Sequence, residues 1–87
     1  MHVYSRGDRL GNNKIVRISG LHFVPQLDVL DLHGNEIEVI ENLGALRQLR
    51  VLNLAGNRIT EVKHMHGLSS LSELNLRRNA IAAVSIR

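Results

Sequence analysis

Leucine recurs along this chain with a fixed spacing of 22 residues. In each block two leucines alternate with other residues, and an asparagine follows three positions after the second of them. The recurring positions are Leu27, Leu49 and Leu71; Leu30, Leu52 and Leu74; Leu32, Leu54 and Leu76; Asn35, Asn57 and Asn79; and Ile37, Ile59 and Ile81. A pattern with a constant period predicts equivalent units stacked side by side.

The second block, residues 27–48, shows the elements that each unit should form. Leu30 and Leu32 alternate with other residues, which predicts a half-buried strand over Val29–His33. Gly34 and Asn35 are turn residues that should end this strand. The apolar residues that follow recur at every third position, which suits a short helical turn, partly of the 3₁₀ type. We therefore expect one parallel strand per block on one side and short helical turns on the other.

The period also sets the expected domain organisation. Residues 5–26 match the pattern incompletely, whereas residues 27–48, 49–70 and 71–87 follow it, so we expect one domain over residues 1–87. The last block is shorter than the period and has no polar capping unit, although natural repeat stacks close with caps. We accordingly expect a fragment of a longer protein that either self-associates through its uncapped end or is marginally stable.

The repeated asparagines are expected to be structural. Each follows a predicted strand at the point where the chain bends and its backbone groups lose their neighbours. Because an unpaired buried polar group costs roughly 1–3 kcal/mol, and an asparagine amide both donates and accepts, a stacked column of asparagines would stabilise these bends. The expected column consists of Asn13, Asn35, Asn57 and Asn79.

The blocks LDVLDLHGNEI, LRVLNLAGNRI and LSELNLRRNAI share the pattern LxxLxLxxNxI, which resembles the leucine-rich repeat. The stretch NEIEVIENLGALRQLRVLNLAGNRI resembles the 22-residue class, which includes a regulatory subunit of the type-1 protein phosphatase and a spliceosomal ribonucleoprotein component. LDVLDLHGN, IENLGALRQLRVLNLAGN and GLSSLSELNLRRNAI are similar to the leucine-rich-repeat subunit of the tubulin polyglutamylase complex. The resemblance implies an α/β leucine-rich-repeat solenoid, a right-handed superhelix with a parallel concave sheet and short 3₁₀ or α turns on the convex side.

The composition bears on where in the cell the protein is located. There is no cysteine, so disulfides and thiolate metal sites are excluded. Extracellular leucine-rich repeats usually end in cysteine-rich caps, so we expect an intracellular, cytoplasmic protein, with the cytoskeleton or basal body as its specific location. No stretch approaches the roughly 18 consecutive apolar residues of a membrane span, and we expect no membrane partner.

The class implies protein–protein binding on the concave face, and strand positions that point away from the leucines are the candidates. Val29 and Val51 would be adjacent aliphatic residues on an otherwise polar face, which suits the apolar centre of an interface. The candidate binding residues are Val29, Asp31, Arg50, Val51, Asn53 and Glu73. The alternative is a solvated face whose charges pair across strands, with Arg6, Arg9 and Arg50 beside Asp28 and Asp31.

The remaining chemistry argues against catalysis and cofactors. Asp31, His33 and Ser72 would share one sheet, but no nucleophile elbow or phosphate-binding glycine loop accompanies them. A metal pair of His64 and His66 would need Glu41 or Glu61, and two exposed histidines are the simpler interpretation. We expect no enzyme activity, cofactor, metal or small-molecule substrate.

Nucleic acid is also disfavoured as a partner, although the net charge is +3. Carboxylates interleave with the arginines of the expected concave face and oppose phosphate binding. Arg77, Arg78 and Arg87 form a local basic end. We therefore expect a non-catalytic scaffold for a cytoskeletal, ciliary or tubulin-modifying protein. The alternatives are a regulatory subunit of a type-1 phosphatase, or a ribonucleoprotein component that binds RNA or an RNA-binding protein.

Overall fold

Four short strands form a parallel sheet with the spacing that the leucines predict. The structure is a computed structural model that describes residues 7–9 and 11–84. Its strands are β1 (Gly7–Arg9), β2 (Val29–Asp31), β3 (Val51–Asn53), β4 (Glu61–Val62), β5 (Glu73–Asn75) and β6 (Ala83–Val84). The main sheet has the order β1-β2-β3-β5, and every pair is parallel. Leu30 lies opposite Leu52 and Leu52 opposite Leu74, so the predicted register is confirmed.

The core lies on one side of this sheet and consists of the recurring aliphatic side chains. In β2 and β3 the central leucine is fully buried and its two neighbours are half-buried. The buried core comprises Ile18, Leu21, Val24, Leu27, Leu30, Leu32, Ile37, Ile40, Leu43, Leu46, Leu49, Leu52, Leu54, Ile59 and Leu68. Burial of one such side chain contributes about 1.5–3 kcal/mol, so each repeat is held to its neighbours mainly by leucine packing.

The strands are shorter than expected, since β2 ends at Asp31 and does not reach His33. Hydrogen bonds between repeats nevertheless continue past the strand: Leu32 N–H donates to Asn53 O at 2.8 Å and Gly34 N–H donates to Ala55 O at 2.8 Å. Gly34 has a φ of 67°, a left-handed conformation that a strand does not contain. The chain therefore leaves the extended conformation while its repeat-to-repeat bonding is kept.

Left-handed backbone recurs at two positions of the repeat within the described residues. The first position is occupied by Asn12, Gly34, Gly56 and Arg78, and the second by Gly20, Asn42 and His64, with φ values between 57° and 75°. Glycine and asparagine tolerate this conformation best, because a Cβ normally clashes with the backbone there. Arg78 and His64 are the exceptions to that preference within their columns.

The side opposite the main sheet contains short turns closed by hydrogen bonds between residues three apart. In the described residues the only helix is a 3₁₀ turn at Leu21–Phe23, and there is no α-helix. Residues 43–49 instead form two separate turns, in which Leu46 N–H donates to Leu43 O and Leu49 N–H donates to Leu46 O. Strands β4 and β6 pair in parallel as a second sheet. The expected short turns of the 3₁₀ type are therefore present at Leu21–Phe23, and the leucines spaced by three in residues 43–49 close isolated turns with the same hydrogen-bond spacing.

The asparagines join the bends of neighbouring repeats. Asn57 Nδ2 donates to Leu54 O of its own repeat at 2.9 Å and to Leu32 O of the preceding repeat at 3.0 Å, while its Oδ1 accepts from Ile37 N–H at 3.0 Å. Asn79 makes the same three contacts one repeat later. Asn35 Oδ1 accepts from Ile15 N–H at 3.1 Å, and the exposed Asn13 donates to Gly11 O at 3.2 Å.

The last repeat is less buried than those before it. Leu74 is 40% exposed, whereas Leu30 and Leu52 are inaccessible to solvent. Leu71, Leu76 and Ile81 are half-buried against the core. Helices long and apolar enough to cross a bilayer are absent from the residues that the structure describes.

Candidate partner-binding face

We call the surface of β2, β3 and β5 that points away from the core the strand face; it comprises Val29, Asp31, Val51, Asn53, Glu73 and Asn75. The register places these residues in two rows. Val29, Val51 and Glu73 lie opposite one another in the first row, and Asp31, Asn53 and Asn75 in the second. Five of the six candidate binding residues are thereby brought together, and Arg50 immediately precedes β3.

The first row contains the apolar part of the strand face. Val29 and Val51 are half-buried and directly opposite each other in the sheet. Neither belongs to the core cluster or to the partly buried hydrophobic residues that pack against it. Glu73 follows Val51 in the row and is exposed. The row therefore changes from aliphatic to acidic towards β5.

Arg50 is engaged with Asp28 in a two-point ion pair. Arg50 Nε donates to Asp28 Oδ1 at 3.0 Å, and its Nη2 donates to Asp28 Oδ2 at 3.1 Å. The hydrogen bond with this carboxylate, followed by its Coulomb attraction, raises the pKa of Arg50. Both side chains are partly exposed, and such pairs contribute about 0–1 kcal/mol. The expected cross-strand ion pairing is thus present at this position and holds the guanidinium in one orientation.

The other residues expected to form ion pairs across the strands are Arg6, Arg9 and Asp31. Arg6 lies outside the described residues, and the structure does not describe the Arg9 side chain. Asp31 pairs within its own repeat, since Asp31 Oδ1 lies 2.7 Å from His33 Nδ1. The His33 ring packs over Gly11, where an added Cβ would overlap it.

The side chains of the second row stabilise the ends of the strands, which the sequence analysis did not predict. The Oδ1 atoms of Asp31, Asn53 and Asn75 each accept a hydrogen bond at 3.1 Å from the backbone N–H two residues later. Aspartate and asparagine commonly form this local turn, which stabilises the end of the strand. The recurrence of Asp or Asn at positions 31, 53 and 75 is the sequence pattern from which this turn could have been predicted. Only the remaining polar atoms of these side chains are open to a partner.

The residues considered for catalysis are not assembled into a site. Ser72 Oγ donates to Arg50 O at 3.2 Å, and the partner of His33 is Asp31. His64 and His66 are exposed. The carboxylates considered with them pair with cations, Glu41 with Arg17 at 3.1 Å and Glu61 with Lys63 at 3.6 Å. The described part of the chain contains no group of three or more His, Asp or Glu residues suited to a metal ion.

Comparison with known proteins identifies the repeat. A family model described as leucine rich repeat matches residues 9–59 and again residues 41–81. Curated protein sequences give no significant match. Among solved structures, the chain is similar to an internalin (inlF) from Listeria monocytogenes str. 4b F2365, with a TM-score of 0.72 and 24% identity over 91% of this chain. The chain spans 27% of the internalin, and identity at this level shows the fold alone.

The family match agrees with the arrangement of the strands. The two matched ranges together extend from residue 9 to residue 81, well over half of the chain. The parallel strands in this range are offset by one sequence repeat each. On these grounds the chain belongs to the leucine-rich repeat family.

Proposed function

We propose that this chain is a non-catalytic scaffold that binds a protein partner on the strand face. Leucine-rich-repeat domains generally mediate protein–protein interactions, and their fold is typically a non-catalytic scaffold. The observation that carries the proposal is the adjacent pair Val29 and Val51. Two aliphatic side chains on the sheet surface, outside the core cluster, suit the apolar centre of an interface.

The polar residues around this pair would orient the bound partner. The Asp28–Arg50 ion pair lies beside it, and Glu73 occupies the next strand. Asn53 holds its backbone contact through Oδ1, and its Nδ2 has no hydrogen-bond partner among the described residues. Because these side chains project from a hydrogen-bonded sheet, little ordering entropy would oppose binding. Charged and amide groups of this kind contribute direction and specificity more than raw affinity.

The cellular setting proposed here rests on the sequence resemblance. The segments LDVLDLHGN and IENLGALRQLRVLNLAGN support membership of the 22-residue class and an intracellular, cytoplasmic role in a tubulin-modifying or other cytoskeletal assembly. In this proposal residues 1–87 form one domain of a right-handed superhelix, with the strand face as its concave surface. A type-1 phosphatase or a ribonucleoprotein assembly is the alternative within the same class.

The test compares two matched substitutions. Val51→Lys places a cation in the centre of the strand face, opposite Glu73, where opposite charges are compatible with the sheet. Val39→Lys makes the same change at an exposed aliphatic side chain outside the main sheet. Both variants should fold by circular dichroism. A partner captured by the wild-type protein should bind Val51→Lys at least about tenfold more weakly, a loss of about 1.4 kcal/mol, and should bind Val39→Lys as tightly as the wild type.

Mass spectrometry of the captured proteins then separates the assemblies. Tubulin-modifying subunits that disappear with Val51→Lys would support the cytoskeletal role, whereas phosphatase or spliceosomal proteins would favour the alternatives. A partner that tolerates Val51→Lys and is lost with Val39→Lys would show that the binding surface lies on another side of the repeat.

A further inference from the structure

Two arginines lie beside the strand face where β5 ends. Arg77 and Arg78 are both exposed and follow Asn75, the last residue of β5. A shallow depression lies between them and the preceding repeat, lined by Ala55, Asn75, Arg77 and Arg78. The equivalent positions of the preceding repeat hold Ala55 and Gly56. Because Ala55 is small and Gly56 has no side chain, another chain has room to approach the two guanidinium groups.

The charges of these arginines are not neutralised by carboxylates as those of Arg17, Arg50 and Arg58 are, and unlike the isolated, exposed Arg47 the two cations are adjacent. Arg17 pairs with Glu41 at 3.1 Å, Arg50 with Asp28 at 3.0 Å and Arg58 with Glu36 at 4.0 Å. In the part of the chain that the structure describes, neither Arg77 nor Arg78 has a carboxylate within ion-pairing distance. Two adjacent cations therefore face solvent at the rim of the proposed binding surface.

The backbone conformation of Arg78 points to a role for its side chain. Arg78 has a φ of 57°, and the equivalent positions in the two preceding repeats are Gly34 and Gly56, with φ of 67° and 69°. Arginine is disfavoured in this conformation relative to glycine. An unfavourable residue at a position that asparagine or glycine fills in the other repeats is an observation from which a functional hypothesis can start.

The backbone around the two arginines is held in place by the repeat. Arg77 N–H donates to Asn75 Oδ1 at 3.1 Å, and Arg77 O accepts from Gly56 N–H at 2.8 Å and from Asn79 Nδ2 at 3.3 Å. Asn75 Nδ2 has no partner among the described residues and adds a neutral donor to the depression. The two guanidinium groups thus project from fixed points, which favours binding to a defined anionic group.

We propose that Arg77 and Arg78 bind the carboxylates of an acidic segment in the protein partner. The inference rests on the proposed function and identifies the chemistry of that partner. A guanidinium group presents a planar fork of donors that matches a carboxylate. Nucleic acid fits less well, because its continuous phosphate backbone would extend past the two arginines and meet Asp31 and Glu73 on the adjoining strand face, whereas a short acidic segment can end at the depression.

Binding of a fluorescein-labelled hexaglutamate peptide to the full chain tests the inference. The variant Arg77→Ser/Arg78→Gly should weaken binding at least about fivefold. Its control, Lys14→Ser/Arg47→Ser, removes the same number of positive charges from exposed positions elsewhere and should weaken binding less than about twofold. Arg78→Gly alone should raise the midpoint temperature of thermal unfolding, because glycine adopts the left-handed conformation with less strain than arginine. The same variant should bind the peptide more weakly.

Three outcomes would overturn the inference. Equal losses of affinity in the two double variants would mean that peptide binding depends only on the net charge of the protein. Unchanged affinity in Arg77→Ser/Arg78→Gly would mean that the depression is not the site. Tighter, arginine-dependent binding of a labelled oligothymidylate would assign the site to nucleic acid. If any of these occurs while partner capture still falls with Val51→Lys, this inference fails and the proposed function stands. Arginine-dependent peptide binding together with capture that ignores Val51→Lys contradicts the proposed function instead.

Discussion

Replacement of Asn57 by alanine tests how the repeats are held together at their bends. Asn57 is nearly inaccessible to solvent and belongs to the central part of the asparagine column. Its side chain accepts from Ile37 N–H at 3.0 Å and donates to Leu32 O and Leu54 O at 3.0 Å and 2.9 Å. Asn57→Ala removes all of these bonds, but their loss affects the partners unequally.

The two carbonyl oxygens retain a donor when Asn57 is removed. Leu32 O still accepts from Asn35 Nδ2 at 2.8 Å, and Leu54 O still accepts from Asn79 Nδ2 at 2.9 Å. The N–H of the fully buried Ile37, in contrast, loses the one acceptor that the structure gives it. An orphaned buried N–H costs about 1–3 kcal/mol, and each lost carbonyl bond about 0.5–1.5 kcal/mol. The free energy of unfolding should therefore fall by about 2–6 kcal/mol.

Urea denaturation measures this loss, and amide hydrogen exchange locates it. The Ile37 amide should exchange faster in Asn57→Ala than neighbouring amides do. The control is Asn13→Ala, because Asn13 is exposed and water can replace its contacts, so its loss should stay below about 1.5 kcal/mol. Asn79→Ala, at a half-buried position, should lie between the two and remains measurable if Asn57→Ala does not fold. Equal losses at Asn57 and Asn13 would refute the reasoning.

Two further predictions concern single residues. His64 adopts a φ of 60° at the position where the preceding repeat has Asn42, so His64→Asn should raise the free energy of unfolding by up to about 1 kcal/mol in urea denaturation. The control His66→Asn should leave the free energy of unfolding unchanged. A lower free energy of unfolding in His64→Asn would contradict this account of the bend. The hydrogen bond from Arg17 holds the pKa of the Glu41 carboxyl below its ordinary value, so the associated stability is present above the unfolded pKa and is lost as the pH falls through the folded pKa. Arg17→Gln should raise the Glu41 pKa in an NMR titration and reduce that acid-dependent loss, and an unchanged pKa would show that the ion pair does not form in solution.

The sequence alone determined the repeat and the register of its strands. Leucines at a fixed spacing place Leu30, Leu52 and Leu74 opposite one another, because any other offset would turn apolar side chains away from the core. The same period identified the asparagine column and the rows of the strand face. These features depend on which residues recur and therefore require no knowledge of side-chain conformation.

Tertiary structure decided how those residues use their polar atoms. The sequence placed Asp31 and Asn53 on the strand face, but it did not show that their Oδ1 atoms stabilise the strand ends. It also did not show that Arg50 is bound to Asp28, or that Arg78 adopts a left-handed backbone beside unneutralised charge. Hydrophobic spacing predicts which side of a strand is buried. Hydrogen-bond partners and backbone angles depend on distances of a few tenths of an ångström, and only the packed repeats determine those distances.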